Sequence, residues 1–372
     1  AGGPPHIPQG WDWWNGLVGN SRYLNYSLSV NGSRIRFGAN DSDYLTRVIG
    51  DKAMEFLRQS TRDQGKPFFM MLCPPAPHEP FTEETRYKMK YKTKQAPRLP
   101  NFNTGARGKH WLVGEQQRRP MSEEVITRVD DAFRKRWRTL LSVDDLVANL
   151  TEKLEEIGLL NNTYIVYTSD NGYHLGQFCM PLDKRQPYEF DVKVPLLVRG
   201  PSIDRGTVSG EMVLNIDIAP TLLDFAGLKD ESESIRMDGK SFLPLLQQCR
   251  ASTQKKRPWR KEFLIEYWGE GGGRLISSSC FDSLHNDTSG LSDCKADWDC
   301  SCKDSRNNTY SCLRMRRSIY CEFEDSVQFK EFYDLRRDPF QLRNDFARLR
   351  RRKKRCLKRE LRKAKRCRQE TC

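Results

Sequence analysis

Residues 163–191, TYIVYTSDNGYHLGQFCMPLDKRQPYEFD, decide how this chain is read. Thr163 to Thr168 is β-branched and aromatic, has about the length of a buried strand, and runs into the turn-forming Ser169-Asp170-Asn171-Gly172. Asp170 and Asn171 therefore belong at the carboxyl end of a strand, with His174 and Lys184 close behind. Carboxylate and amide oxygens favour a hard ion such as Ca²⁺ or Mg²⁺, whereas Lys and His neutralise an anion. Together they suit hydrolysis of an anionic ester.

Working outward, Pro67 to Cys73 is apolar throughout and stops at Pro74-Pro75-Ala76-Pro77-His78, which places His78 at the equivalent strand edge. Val192 to Val198 is a third strand candidate. Ser142 and Asp145 form a capping box, and Val143, Leu146, Val147, Leu150, Leu154 and Ile157 follow at helical spacing before Gly158. Asp217 to Gly227 reads as a short helix, with Pro220 near its first turn. Apolar strands separated by helices predict an α/β fold whose sheet is covered on both faces and binds ligands beyond its strands' carboxyl ends. His78 and Asp170-Asn171 are thus expected to converge.

With 372 residues and 37% hydrophobic content, the chain can bury one large domain and a smaller one. Divisions are expected near residues 250 and 342. No run of 18 apolar residues occurs, so no membrane span is predicted. The opening AGGPPHIPQGW has neither Met nor signal-peptide character, so the sequence reads as part of a longer precursor lacking its amino-terminal portion. Sequons at Asn25, Asn31, Asn40, Asn149, Asn161, Asn286 and Asn307 point to glycosylated surface loops.

Six of the twelve cysteines, Cys280, Cys294, Cys300, Cys302, Cys312 and Cys321, crowd one stretch. Zinc is an alternative there, but the spacing is C-x-C without a CxxC pair, and an even cluster among sequons fits disulfides in a lysosomal or secreted protein. Residues 343–372 hold fifteen Lys and Arg against three Asp and Glu, a net +12 of the chain's +14. This tail is either a solvated or disordered segment or a binder of polyanions. No zinc-finger spacing or helix-turn-helix signal suggests a nucleic-acid partner. Asp144-Asp145 reads as a helix start, Asp130-Asp131 as solvated surface, and Trp11, Trp13 and Trp14 as packing. Oligomeric state is not legible.

SDNGYHLGQF, DKRQPYEFDVKVPLLVRGP, FRKRWRTLLSVDDLV, APHEP, KHWL and GWDWWNGLVGNSRYLNYSLSVNG resemble the sulfatase family, most of all its N-acetylglucosamine-6-sulfatases and more loosely its heparan sulfate 6-O-endosulfatases. The resemblance runs from about Gly10 to about Asp345 and leaves out the basic tail. It implies an alkaline-phosphatase-like α/β sandwich with a mixed central sheet, incomplete at its amino terminus, over residues 1–250. A smaller Cys-rich α+β subdomain is implied over 251–342, followed by the basic tail 343–372.

The resemblance also implies removal of the 6-sulfate from N-acetylglucosamine units of heparan or keratan sulfate. It makes Asp170 and Asn171 ligands of one Ca²⁺, His78 and Lys184 catalytic groups, and His174, together with the weaker candidate His110, substrate contacts. The alternatives are an extracellular endosulfatase and a non-catalytic glycosaminoglycan-binding protein. The family's nucleophile is a formylglycine made from Cys in C-x-P-x-R or C-x-A-x-R, and no cysteine fits: Cys179-Met180-Pro181-Leu182-Asp183 ends in Asp, Cys73-Pro74-Pro75-Ala76-Pro77 in Pro. The family's first metal-binding Asp pair is absent too, so the chain is expected to carry half a metal site and to be inactive alone.

Overall fold

A computed structural model describes residues 3–60, 66–114, 120–228, 235–247, 259–269 and 308–368. In chain order its main elements are β1 (Asn15–Leu17), β2 (Ser27–Val30), β3 (Ser33–Arg36), α1 (Leu45–Ser60), α2 (Trp111–Gly114), α3 (Glu123–Glu156), β4 (Ile165–Thr168), β5 (His174–Leu175) and β6 (Leu182–Asp183). There follow α4 (Glu189–Val192), β7 (Leu196–Arg199), α5 (Ile218–Phe225), α6 (Leu243–Leu246), β8 (Glu262–Tyr267), β9 (Tyr310–Met315), β10 (Ser318–Phe323), β11 (Lys330–Asp334) and α7 (Arg351–Ala364). They fall into two compact units, residues 1–96 with 127–162 and residues 97–126 with 163–372. Positions 250 and 342, where divisions are expected, both fall within the second of these units.

In the first unit β1, β2 and β3 form an antiparallel meander. Asn31 and Gly32 join β2 to β3, both at positive φ (46° and 87°), as a two-residue hairpin turn demands. Tyr26 and Leu28 of this sheet pack against Leu45 and Val48 of α1. The long helix α3 corrects the expected start at Ser142. Val125, Val129, Phe133, Val143, Leu146, Leu150 and Leu154 keep one buried period, so the helix begins at Glu123, where Ser122 Oγ accepts from Val125 N. Ser142 is interior and buried. Asp130 is buried too, its carboxylate accepting from Ala96 N at 2.9 Å, while Asp131 pairs with Lys135 at the surface.

Pro67 to Cys73 joins no strand ladder among the described residues, and Phe69 and Met71 are exposed. An apolar run records that a segment seeks cover, not which partner supplies it.

The second unit holds the four-stranded antiparallel sheet β11-β10-β9-β8. Its residues alternate strictly: Tyr310, Cys312, Ile319, Cys321, Phe323 and Tyr333 face a core with Val113, Phe178, Met180 and Tyr188, whereas Leu313, Tyr320 and Phe332 face Leu357 and Leu361 of α7. Cys312 and Cys321, directly opposite on β9 and β10, form a disulfide. Cys280, Cys294, Cys300 and Cys302 lie outside the described residues, as do Asn286 and Asn307. The basic segment is therefore, over residues 351–364, a helix seated on a sheet.

The strand expected at 192–198 appears as β7, shifted to Leu196–Arg199, with Glu189–Val192 forming a helical turn. It pairs directly and antiparallel with β4, Thr168 opposite Leu196. In place of one large sheet, the described residues form four small antiparallel ones. Helix α5 forms as predicted, ending before Gly227 at φ 76°.

Candidate active site

β4 delivers the Ser169-Asp170-Asn171-Gly172 turn. Asp170 Oδ1 accepts from Asn171 N at 2.9 Å and Ser169 Oγ at 3.2 Å, and Asn171 Nδ2 donates to Gly172 O at 2.7 Å. From outside the turn, Asn215 Nδ2 donates to Ser169 O at 3.0 Å. These bonds occupy one carboxylate oxygen and the amide nitrogen. Asp170 Oδ2 and Asn171 Oδ1 are left as acceptors with no hydrogen-bond partner among the described residues.

Gly172 locks this turn to the segment carrying Lys184. Its N donates to Asp191 O at 2.8 Å, and Tyr173 N donates to Phe190 O at 3.0 Å. The approach is so close that a Cβ on Gly172 would lie 2.1 Å from Phe190 O, so only glycine fits. β5 and β6 then pair His174 with Asp183. His174 Nδ1 meets the Asp191 carboxylate at 3.0 and 3.1 Å, and Gln186 N donates to the same group at 2.9 Å.

Lys184 sits half-buried between Asp183 (φ 141°) and Arg185 (φ 86°), two non-glycine residues in a sparsely populated region. Each costs about 1–3 kcal/mol and persists only where surroundings enforce it. Here the β5–β6 ladder and the Arg185–Asp183 ion pair (2.7 Å) do so. The Lys184 ammonium has no acidic partner among the described residues.

His174 and His110, expected at the substrate, are both buried. Each is 0% exposed and bonded to a carboxylate, His174 to Asp191 and His110 to Asp325. His174 braces Asp191. His110 stacks on Phe323 at 3.9 Å, with Nε2 on Asp325 at 2.8 Å. That contact and the one from Trp111 Nε1 hold the Asp325 carboxyl down to about 2 against the desolvation that opposes them. The sequence reading also missed Lys109, beside His110. It is buried over the rings of Phe178, Tyr188 and Tyr333 and donates to Tyr333 Oη at 2.9 Å and Gln341 O at 2.7 Å. Burial pulls its pKa down to about 8 despite nearby Glu331. A lysine enclosed by aromatics that are all distant in sequence, Tyr333 lying 224 residues on, carries no local signal.

His78 belongs to the first unit. Tyr23 Oη donates to its carbonyl at 2.8 Å, and its Nδ1 donates to Glu79 O at 2.8 Å, because a carbonyl can only accept. Nε2 of this exposed ring makes no hydrogen bond among the described residues. The expected convergence of His78 with Asp170-Asn171 concerns residues of different units.

Asp170 and Asn171 fit a hard cation in donor type but not in number, since Ca²⁺ takes 6–8 oxygens. No group of three His, Cys, Asp or Glu that could hold a metal occurs among the described residues. Cys179 is 0% exposed, and burial pushes its thiol up to about 11, opposite to what a nucleophile needs.

A turn bearing two acceptor oxygens stands at the end of a strand and is hydrogen-bonded to the segment that carries a half-buried lysine, and residues 8–228 match the sulfatase family profile. The chain belongs to the sulfatase family. It is 48% identical over 349 residues to the N-acetylglucosamine-6-sulfatases of Bos taurus and Homo sapiens, covering 92% of this chain and 59% and 60% of theirs. The Drosophila melanogaster extracellular sulfatase SULF-1 homolog is 39% identical over 71% of this chain and 23% of its own length. A solved structure in complex with its substrate D-glucosamine-2-N,6-O-disulfate superposes with a TM-score of 0.75 at 25% identity, covering 96% of this chain and 76% of that one. The chain thus spans about 59% of the length of the curated relatives first named.

Proposed function

We propose that these residues form the sulfate-gripping part of a sulfuric ester hydrolase that removes the 6-sulfate from N-acetylglucosamine units of heparan or keratan sulfate. The carrying observation is the clamp at Gly172, which ties the turn bearing Asp170 and Asn171 to the backbone of Phe190 and Asp191, a few residues beyond Lys184. The names of the relatives and the glucosamine disulfate in the superposed structure support the substrate class.

In this reading Asp170 and Asn171 hold part of the shell of one Ca²⁺, which when bound orients the sulfate and polarises it. Lys184, with no acidic partner among the described residues and flanked by Asp183 and Arg185 at positive φ, opposes the negative charge that builds on the sulfate oxygens as the ester breaks. His78, with Nδ1 committed to Glu79 O, offers Nε2 to protonate the departing sugar alkoxide. His174 holds Asp191 and so the clamp. No cysteine stands in C-x-P-x-R or C-x-A-x-R, so residues 1–372 supply no formylglycine and are expected not to turn over sulfate esters by themselves. A lysosomal or secreted setting is supported by the Cys312–Cys321 disulfide and by Asn25, Asn31, Asn40, Asn149 and Asn161, all exposed. Among the described residues no helix is long and apolar enough to cross a membrane.

The test is calorimetric titration of the chain with N-acetylglucosamine 6-sulfate, with and without Ca²⁺. Binding that requires both the sulfate and Ca²⁺, and that is lost in Asp170→Ala, is expected. Equal binding of unsulfated N-acetylglucosamine, or an unchanged Asp170→Ala, overturns the assignment.

A further inference from the structure

The helix α7 (Arg351–Ala364) has two faces with different jobs. Leu357 and Leu361 are each 2% exposed and pack on Leu313, Tyr320 and Phe332 of the sheet, with Phe346 and Leu349 at the rim. Flanking cations fasten its edges. Lys354 donates to Ala347 O at 3.0 Å and lies 4.8 Å from the Phe346 ring centroid, and Lys365 pairs with Glu324. On the opposite side Arg355, Lys358, Arg359, Arg362, Lys363 and Arg366 line an open groove of about 370 Å³. All six are exposed. Their spacing of three and four residues puts them in one stripe, and Arg355 to Arg366 spans about 17 Å at 1.5 Å per residue.

Glu360 at the stripe's margin pairs with Arg359 (2.8 Å) and Lys363 (3.2 Å). Arg355, Lys358, Arg362 and Arg366 have no acidic partner among the described residues. Like charges at such spacing repel, so the seat formed by Leu357 and Leu361 is what keeps them together. A row of cations held apart from its counter-charges suits a linear polyanion, because the helix already fixes the backbone positions of the row and binding releases counterions.

We propose that this stripe docks a sulfated polysaccharide chain, separately from the sulfate-gripping turn at Asp170. The polyanion's identity rests on the substrate class argued above; the site itself does not. Guanidinium forks match sulfate oxygens two at a time. The groove has no aromatic lining on which bases would stack, and the helix's apolar residues are consumed by the sheet, leaving none to insert into a lipid surface. The stripe would tether the protein to a sulfated chain whose individual sugars are handled elsewhere.

The experiment compares retention of the full chain on immobilised heparin with that of Arg355→Ser/Lys358→Ser/Arg359→Ser/Arg362→Ser. The exposed control Lys88→Ser/Lys90→Ser/Lys92→Ser/Lys94→Ser removes the same charge. Loss of four contacts is expected to weaken heparin binding roughly 10- to 100-fold near 0.15 M salt and to flatten its salt dependence, with the control close to wild type. Far-UV circular dichroism verifies that α7 survives the substitutions. Equal losses in both quadruple variants would show that net charge alone acts. Equal affinity for single-stranded DNA or phosphatidylserine vesicles would show a different partner, and either result overturns the proposal. Asp170→Ala should retain heparin binding and the stripe variant should retain Ca²⁺-dependent binding of the monosaccharide sulfate, so failures of the two readings are told apart.

Discussion

Replacing Gly172 with Ala tests whether the clamp organises the site. The new Cβ would stand 2.1 Å from Phe190 O and 2.9 Å from the carbonyl carbons of Phe190 and Asp191. All three are backbone atoms, so no rotamer relieves the overlap, and the two segments must separate by 1.3 Å or more, from 2.1 to at least 3.4 Å, to reach ordinary contact. That separation removes the Gly172 N to Asp191 O and Tyr173 N to Phe190 O hydrogen bonds (2.8 and 3.0 Å). Overpacking costs about 1–3 kcal/mol and each bond about 0.5–1.5 kcal/mol, which together give about 2–6 kcal/mol. Urea unfolding followed by circular dichroism measures this directly, and Ca²⁺ titration measures the displacement of Asp170 and Asn171. A Gly172→Ala protein within about 0.5 kcal/mol of wild type, with unchanged cation binding, would refute the reasoning.

The buried carboxylate behind the clamp gives a related result. Asp191→Ala strips His174 and Gln186 N of their acceptor and is expected to cost about 2–4 kcal/mol in urea melts, with His174→Ala no additive loss on top. Lys109 supplies a pH signature. Its folded pKa of about 8 lies below the ordinary 10.5, so between those values the unfolded chain holds more protons and stability rises with pH. Wild type should gain about 2–3 kcal/mol relative to Lys109→Met from pH 8 to pH 10, and a pH-independent difference between the two would contradict the buried, charged lysine. Leu361→Ala, at a site 2% exposed beneath α7, should destabilise by about 2–4 kcal/mol and lower heparin retention indirectly; an unchanged melt would mean the helix is not seated there.

Local pattern was enough for the elements and residue types nearest the chemistry. The Thr163–Thr168 strand, the Asp170-Asn171-Gly172 turn, the Asp217–Gly227 helix and the exposure of the basic residues all follow from periods and turn preferences that act over a few residues. Other readings failed where range grew. A capping box at Ser142 concealed a helix running from Glu123, because a good local start signal does not interrupt an apolar period that continues through it. Pro67 to Cys73 promised a strand that its apolar content alone did not partner.

Pairing and burial were decided by the tertiary structure, because they depend on which distant groups desolvate one another. Nothing local to His110 and His174 tells that they meet Asp325 and Asp191 out of solvent. Lys109 looks like surface until Phe178, Tyr188 and Tyr333 enclose it. Gly172 reads as an ordinary turn glycine, and only the arrival of the Phe190 carbonyl from eighteen residues downstream makes the missing Cβ a requirement. Sequence determines what each residue can do within its own turn of chain, whereas proximity across the chain determines which of those capacities remain open to solvent and ligand.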